Sequence, residues 1–259
     1  MNHNYLGFPG GIPARRLLEL GRQQLMFYPV AFLDGSVSSL RRLRAGFAVE
    51  LEDGRRLRGR TVVLCTGVTD RFPSVHDWDD YVGRSLFWCI VCDGYAARGK
   101  RVVAVGNDDE AGTTALQFLQ FTSTVALITN ARVCNLTAPM QRKLRRHNVA
   151  LRVGEIAGFF GADGVLCSLA LAGGATLEAD LIFSLQGAEP NSALASNLGA
   201  QLTDERLVVV DEDQHTSVPG LFAAGDITHR HAHQVATAAH EGLTAATAVQ
   251  HYLYEPWQK

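Results

Sequence analysis

The feature that most constrains the fold is a strand–helix–strand pattern between residues 101 and 129. The run RVVAVG (101–106) is apolar from Val102 onward, as in strands that are buried on both faces. A helical pattern over 108–121 follows and opens with acidic residues, which favour a helix N-terminus, and the apolar run TVALIT (124–129) comes next. Two strands joined by a crossover helix form the unit of a parallel sheet, so the sequence predicts an α/β domain.

Other segments carry weaker patterns of the same kind. Residues 50–59, with an Asp-Gly pair at their centre, predict a β-hairpin, and the polar residues 68–84 predict a linker. Strands are predicted at 28–33, 61–67 (buried) and 220–226, and helices at 12–27, 138–148 and 233–254.

Composition narrows the class of protein. The chain has 259 residues, 47% of them hydrophobic, and a formal net charge of -2, so it is globular and carries no electrostatic signature of a nucleic-acid partner. No apolar run reaches the roughly 18 residues that a membrane span needs. The N-terminus lacks the basic and apolar parts of a signal peptide, and five cysteines do not make a disulfide scaffold, so we expect a cytoplasmic protein without a membrane partner.

Cys89 and Cys92 form a Cys-x-x-Cys pair near the start of this α/β pattern. A zinc site normally needs two such pairs, and a disulfide that closes so short a loop would stabilise the fold little. A zinc site and a structural disulfide are therefore both disfavoured. A thiol pair beside a strand–helix–strand unit indicates redox chemistry, in which one thiolate attacks a disulfide and the other resolves it. Asp93 is then either a turn residue or a carboxyl that carries a proton to or from sulfur.

The segment VAVGNDDEAG holds a degenerate dinucleotide fingerprint. Gly106 and Ala111 occupy the first and last positions of G-x-G-x-x-G/A, but Asp108 replaces the middle glycine. Negative charge at this helix N-terminus competes with a bound phosphate, so phosphate binding is expected to be weakened or lost.

Two further segments are of interest near the C-terminus. GLFAAGD (220–226) is an apolar strand that ends in Gly225-Asp226, and open α/β sheets bind ligands at that edge. His229, His231 and His233 alternate in sequence, but we do not expect a metal site there.

Together these pieces resemble the low-molecular-weight thioredoxin reductase family. FWCIVCDG is similar to the family's Cys-x-x-Cys-Asp-Gly redox motif, and VLCTGV (63–68) to its Ala-Thr-Gly segment beneath the flavin. Residues 4–24 resemble the segment after the first flavin strand and helix, and residues 216–242 resemble the C-terminal flavin-binding block. The order of the motifs agrees over nearly the whole chain.

The resemblance implies an α/β fold of two Rossmann-like, three-layer domains. A discontinuous FAD domain, N-terminally truncated here, would comprise 1–71 and 187–259, and an inserted nicotinamide-type domain carrying the thiols would comprise 72–186. Cys92 would lie next to the flavin, Cys89 would attack the substrate disulfide, and Asp93 would carry the proton. The remaining FAD contacts would come from Thr66, Gly67, Gly225, Asp226, Gln234 and Val235.

The resemblance also implies a partner, which would be a thioredoxin-like protein or a small dithiol, and a homodimer. Three departures qualify it: the family's N-terminal G-x-G-x-x-G is absent, Asp108 is not glycine, and TNA (129–131) stands where the family has a basic cluster for the NADPH 2′-phosphate. They argue against NADPH as electron donor and leave NADH, ferredoxin or another flavoprotein open. The chain is then a fragment of a longer enzyme or a natural short form, and a short form could be an FAD-poor or FAD-free module that senses redox state or binds a partner.

Overall fold

A computed structural model of the chain describes residues 1–228 and 233–254. It divides into two compact units. Unit 1 comprises Met1–Leu17 and Asp70–Ala188, and unit 2 comprises Leu18–Thr69 and Glu189–Lys259. The assignment of 1–71 with 187–259 to a flavin domain and of 72–186 to a nicotinamide-type domain stays a prediction.

Helices and strands are each numbered in chain order. The helices are α1 (Ala14–Leu25), α2 (Ile90–Asp93), α3 (Asp109–Gln117), α4 (Ala138–Arg146), α5 (Ala193–Asn197) and α6 (Val235–Tyr254). The strands are β1 (Val37–Arg42), β2 (Phe47–Leu51), β3 (Arg56–Gly59), β4 (Val62–Leu64), β5 (Val68–Asp70), β6 (Leu86–Phe87), β7 (Val102–Val105), β8 (Val125–Ile128), β9 (Ala150–Arg152), β10 (Ile156–Ala162), β11 (Val165–Leu171), β12 (Thr176–Glu178), β13 (Leu181–Ser184), β14 (Ala188–Pro190) and β15 (Leu221–Ala223).

Unit 1 is built on a parallel sheet with the strand order β6-β13-β7-β8-β9. Successive side chains of a strand point to opposite faces, and both faces of β7 are buried. Val102 and Ala104 pack with α3 and α4, whereas Val103 and Val105 pack with the antiparallel sheet β10-β11-β12. Unit 1 therefore has three layers, with helices on one face of the parallel sheet and a second sheet on the other.

Unit 2 contains the antiparallel sheet β1-β2-β3 and the parallel pair β4 and β15. Phe47, Leu64 and Leu221 belong to one buried cluster of this unit. Ala245 of α6 packs against Phe222 of β15. The pairing of β4 with β15 brings the carboxyl ends of two strands together, although they are far apart in sequence. None of the helices within the described ranges is long and apolar enough to cross a membrane.

The structure confirms the α/β class, with a parallel sheet of Rossmann type that includes the predicted buried strands β7 and β8. The predicted hairpin is also confirmed, as β2 and β3 meet at a turn in which Gly54 has φ +84°. The strand predicted at 28–33 is wrong, because these residues form turns and irregular backbone without a strand partner among the described residues. The prediction of a fully buried strand at 61–67 is also wrong: β4 is short and Val63 is 38% exposed, since β4 pairs only with β15 in the described chain.

Candidate active site

Cys89 and Cys92 are joined by a disulfide at the carboxyl end of β6, with their Cα atoms 5.2 Å apart. Cys89 is extended and caps the short helix α2, because its Sγ accepts a hydrogen bond from the backbone N–H of Cys92 at 3.1 Å. The Cys89 carbonyl accepts a further bond from the N–H of Asp93 at 3.0 Å. The structure therefore shows the oxidised form of the pair, held in a single tight turn.

Exposed apolar residues flank the two cysteines in the sequence. Both cysteines are half-buried, while Val91 and Tyr95 are 79% and 71% exposed. Trp88 is also exposed and meets Phe72 edge-to-face with 5.6 Å between ring centroids, which fixes the indole beside Cys89. Exposed apolar residues around a reactive bond are typical of a surface that a partner covers.

Asp93 follows Cys92 directly and is half-buried. Burial raises the pKa of its carboxyl above the ordinary 3.8, and the positive charges of the N-terminus and His3 partly oppose this rise. Gly94 holds the turn close to its neighbours, since a Cβ there would lie 3.0 Å from both Ile90 Cγ1 and Phe121 Cε2. A carboxyl with a raised pKa keeps its proton to a higher pH, which suits it to exchange a proton with a thiolate.

The second set of candidate residues lies in unit 2, at the carboxyl ends of β4 and β15. Thr66 and Gly67 follow β4, and Gly225 and Asp226 follow β15. The N–H of Ala224 donates to Leu64 O at 3.0 Å and extends the pairing to the end of the strands. The structure thus brings these four predicted residues to one edge, which is the edge where open α/β sheets bind ligands.

The backbone at this edge is fixed in conformations that expose it. Gly67 and Gly225 have φ values of +60° and +81°, which favour glycine. Around Gly67 a Cβ would meet no atom within 4 Å, so its backbone borders open space. Asn191 fixes the preceding residue, because its carbonyl accepts from Thr66 Oγ1 at 2.8 Å and its Nδ2 donates to Thr66 O at 2.9 Å.

Glu241 of α6 contributes to this edge, although the sequence patterns did not single it out. It is only 3% exposed, and its Oε2 accepts bonds from the Gly225 N–H at 2.6 Å and from Thr228 Oγ1 at 3.1 Å. The sequence could have indicated this role, because Glu241 is the only Asp, Glu, Lys or Arg in the alanine-rich α6. Its carboxylate fixes the turn that carries Asp226.

The first turn of α6 also lies against this edge. The Gln234 carbonyl accepts the Ala238 N–H at 3.0 Å, and Val235 is the first residue of the helix. A Cβ on Gly225 would be 3.6 Å from the Cβ of Ala238, so the helix start and the turn are packed together. The start of α6 therefore lies beside the turn that carries Asp226.

Gly106 and Ala111 lie in unit 1, where β7 passes into α3. A Cβ on Gly106 would be 2.5 Å from the Cβ of Ala111 and 3.0 Å from Leu185 O. Both small residues are thus required for the close packing of α3 on the sheet, whether or not a nucleotide binds.

Metal binding finds no support in the parts of the chain that the structure describes, where no group of three His, Cys, Asp or Glu side chains could hold an ion. His229 and His231 lie outside the described residues, so for the histidine-rich segment the expectation of no metal site stays a prediction.

Comparisons with known proteins agree with this architecture. Residues 29–242 match the family model described as pyridine nucleotide-disulphide oxidoreductase. The chain is 29% identical over 258 residues to a thioredoxin reductase of Aquifex aeolicus, covering 96% of this chain and 79% of that protein. The chain is also similar to the crystal structure of HlmI, with 28% sequence identity and a TM-score of 0.84; the match covers 94% of this chain and 77% of the HlmI chain.

A thioredoxin reductase structure from Streptococcus pyogenes has a TM-score of 0.88 at 24% identity, covering 97% of this chain and 84% of that one, and supports the fold. The family model and the relatives both indicate a disulfide oxidoreductase, and the Cys-x-x-Cys pair forms a disulfide in this structure. The chain therefore belongs to the pyridine nucleotide-disulphide oxidoreductase family and is a thioredoxin reductase-like, flavin-dependent disulfide oxidoreductase.

Proposed function

We propose that Cys89 and Cys92 are the redox centre of this oxidoreductase and exchange an electron pair with the disulfide of a thioredoxin-like protein or a small molecule. The observation that carries the proposal is the half-exposed disulfide, closed over a single turn and followed at once by Asp93. A disulfide that is accessible and closes so short a loop contributes little to stability, which favours a chemical role.

Cys89 is the attacking residue in this proposal. Its Sγ accepts the Cys92 N–H, and a hydrogen bond to sulfur favours the thiolate. The Cys89 thiolate attacks one sulfur of the substrate disulfide, so that a mixed disulfide forms, the substrate S–S bond breaks and the first substrate thiolate leaves. The Cys92 thiolate then attacks Cys89 Sγ, which re-forms the Cys89–Cys92 bond and releases the second substrate thiolate. Two electrons pass from the dithiol to the substrate, and reversal of both steps oxidises a dithiol.

Asp93 is the proton carrier for these thiolates. Its burial raises the pKa of the carboxyl, so that the protonated form persists to a higher pH than for an exposed aspartate. The protonated carboxyl gives its proton to a leaving thiolate, and the carboxylate takes one from an entering thiol. The sequence position directly after Cys92 supports this role.

The cluster in unit 2 fits FAD, because two strand ends, two glycines with positive φ and the half-exposed Asp226 converge at a ligand-binding edge. Asp226, Thr66 and Gly67 would hold the cofactor, with Gln234 and Val235 at the start of α6. When bound, FAD supplies the two-electron redox chemistry that matches a dithiol–disulfide couple. Glu241 holds the Gly225–Asp226 turn in place.

The partner and the assembly are part of the same proposal. The exposed Trp88, Val91 and Tyr95 form an apolar surface around the disulfide that suits a thioredoxin-like protein or an apolar dithiol. A homodimer is supported by exposed apolar side chains of unit 2, among them Leu18 and Phe27 at 76% and 88% exposure. We place the reaction in the cytoplasm, where disulfides are mostly transient and catalytic.

The test is to trap the mixed disulfide. Reduced protein is mixed with bis(2-hydroxyethyl) disulfide, and adducts are located by peptide mass spectrometry. In Cys92→Ser the adduct is expected to accumulate on Cys89. Cys89→Ser is expected to abolish turnover, which here means one round of disulfide reduction by the pre-reduced protein. Cys167→Ser removes an exposed thiol of the same unit outside the pair and is expected to leave turnover unchanged. Turnover that survives in Cys89→Ser would refute the assignment.

A further inference from the structure

We propose that unit 1 does not accept a nicotinamide dinucleotide, although its parallel sheet has the form of a dinucleotide-binding domain. In such a domain the pyrophosphate lies at the N-terminus of the helix after the first strand, and the adenosine ribose lies at the end of the next strand. Here these places correspond to the start of α3 after β7 and to the residues after β8. Both are occupied by the chain's own side chains.

The N-terminus of α3 is capped from within. The Asp108 carboxylate accepts the N–H of Ala111 at 2.8 Å, which is one of the donors that a phosphate would need. Asp109 and Glu110 follow in the first turn of the helix. Three consecutive acidic residues stabilise the helix electrostatically, but they repel the pyrophosphate. A backbone approach like that at the second glycine of the fingerprint is also prevented by the Asp108 side chain.

Hydrogen bonds also join the loops after β7 and β8. Asn107 donates through Nδ2 to Val133 O at 2.9 Å and accepts the Asn135 N–H through Oδ1 at 2.8 Å. The Asp109 carboxylate accepts the backbone N–H and the hydroxyl of Thr137 at 2.8 and 2.7 Å. Four bonds thus tie the two loops together at the edge of the sheet where the dinucleotide would lie.

The polar side chains of the residues after β8 also form hydrogen bonds within the protein. Thr129 is buried, and its Oγ1 donates to Ala131 O at 2.9 Å and accepts the Gly154 N–H at 3.2 Å. Asn130 has φ +48°, and its Oδ1 accepts the Ile156 N–H at 2.9 Å. Neither is the carboxylate that binds the ribose 2′-hydroxyl of NADH in this position.

Arg132, one of the cations near the end of β8, is paired as well. Arg132 Nε lies 3.4 Å from a carboxylate oxygen of Glu155, and the arginine side chain is 86% exposed. A 2′-phosphate would have to compete with this carboxylate and would find no bidentate partner in Thr129 or Asn130. The arrangement therefore disfavours NADH and NADPH for different reasons, in addition to the shared loss of the pyrophosphate site.

Equilibrium dialysis of the full chain, prepared with FAD, against NADH and against NADPH tests this inference. We expect no saturable binding of either dinucleotide up to about 1 mM, a limit that corresponds to about 4 kcal/mol of binding free energy. An NADH-dependent dehydrogenase dialysed in the same buffer serves as the positive control. Saturable binding of either dinucleotide below that limit overturns the inference. The thiol chemistry is judged separately by mixed-disulfide trapping, which uses no nicotinamide.

Discussion

Glu241→Ala is the substitution that tests how the flavin-side turn is held. The change removes a buried carboxylate that accepts the Gly225 N–H at 2.6 Å and the Thr228 hydroxyl at 3.1 Å. The Thr228 hydroxyl retains a second acceptor, Gly225 O at 2.9 Å, so it is not left without a partner. Of these two bonds, the one whose loss leaves a donor without this acceptor is the bond to the Gly225 N–H.

The expected cost includes the loss of this acceptor for the Gly225 N–H. An unsatisfied buried N–H costs about 1–3 kcal/mol, and we expect Glu241→Ala to lower the free energy of unfolding by about 2 kcal/mol. For a chain of this size that change lowers Tm by about 4–8 °C. Glu241→Gln keeps an amide oxygen as acceptor and is expected to lose less than about 1 kcal/mol.

The assay measures Tm by circular dichroism and FAD affinity by fluorescence titration for wild type, Glu241→Ala and Glu241→Gln. We expect both quantities to fall in the alanine variant and to recover in the glutamine variant, because the turn that carries Asp226 needs an acceptor at this position. An alanine variant with wild-type Tm and FAD affinity would refute the reasoning. Equal losses in both variants would show that the negative charge matters instead of the hydrogen bond.

Three further predictions concern single residues. Gly106→Ala should cost about 1–3 kcal/mol in urea unfolding, because its Cβ would be 2.5 Å from that of Ala111, whereas Gly173→Ala, with no atom within 4 Å, should be near neutral. Asp93→Asn should slow mixed-disulfide exchange and remove a pH dependence of stability. Because the pKa of Asp93 is raised, the folded wild type binds more protons than the unfolded chain, and its stability falls as pH rises from about 3.8 through the raised value. Urea titrations that show the same pH dependence in both proteins would contradict this. Asp226→Ala should weaken FAD binding about tenfold or more, equivalent to about 1.4 kcal/mol, in fluorescence titration; the exposed Asp204→Ala is the control, and equal affinities of both variants would exclude Asp226 as a contact.

Several features of the fold follow from short stretches of sequence. The runs that became β7 and β8 are continuously apolar, which is the composition that burial of both faces of a strand favours. The aspartates before α3 predicted a helix start with little affinity for phosphate, and Asp108 does cap that helix. Patterns of this kind are readable because their cause lies within a few residues. The strand predicted at 28–33 shows the limit of that approach, because a strand also needs a partner.

The sequence by itself determined that Cys89 and Cys92 can close a disulfide, because a separation of three residues already brings the two side chains within reach in one turn. Only the tertiary structure decided that residues after β4 and β15 share an edge, and that Glu241 accepts the Gly225 N–H. Those contacts join segments that are distant along the chain, and their geometry depends on the packing of whole elements, which no local pattern encodes.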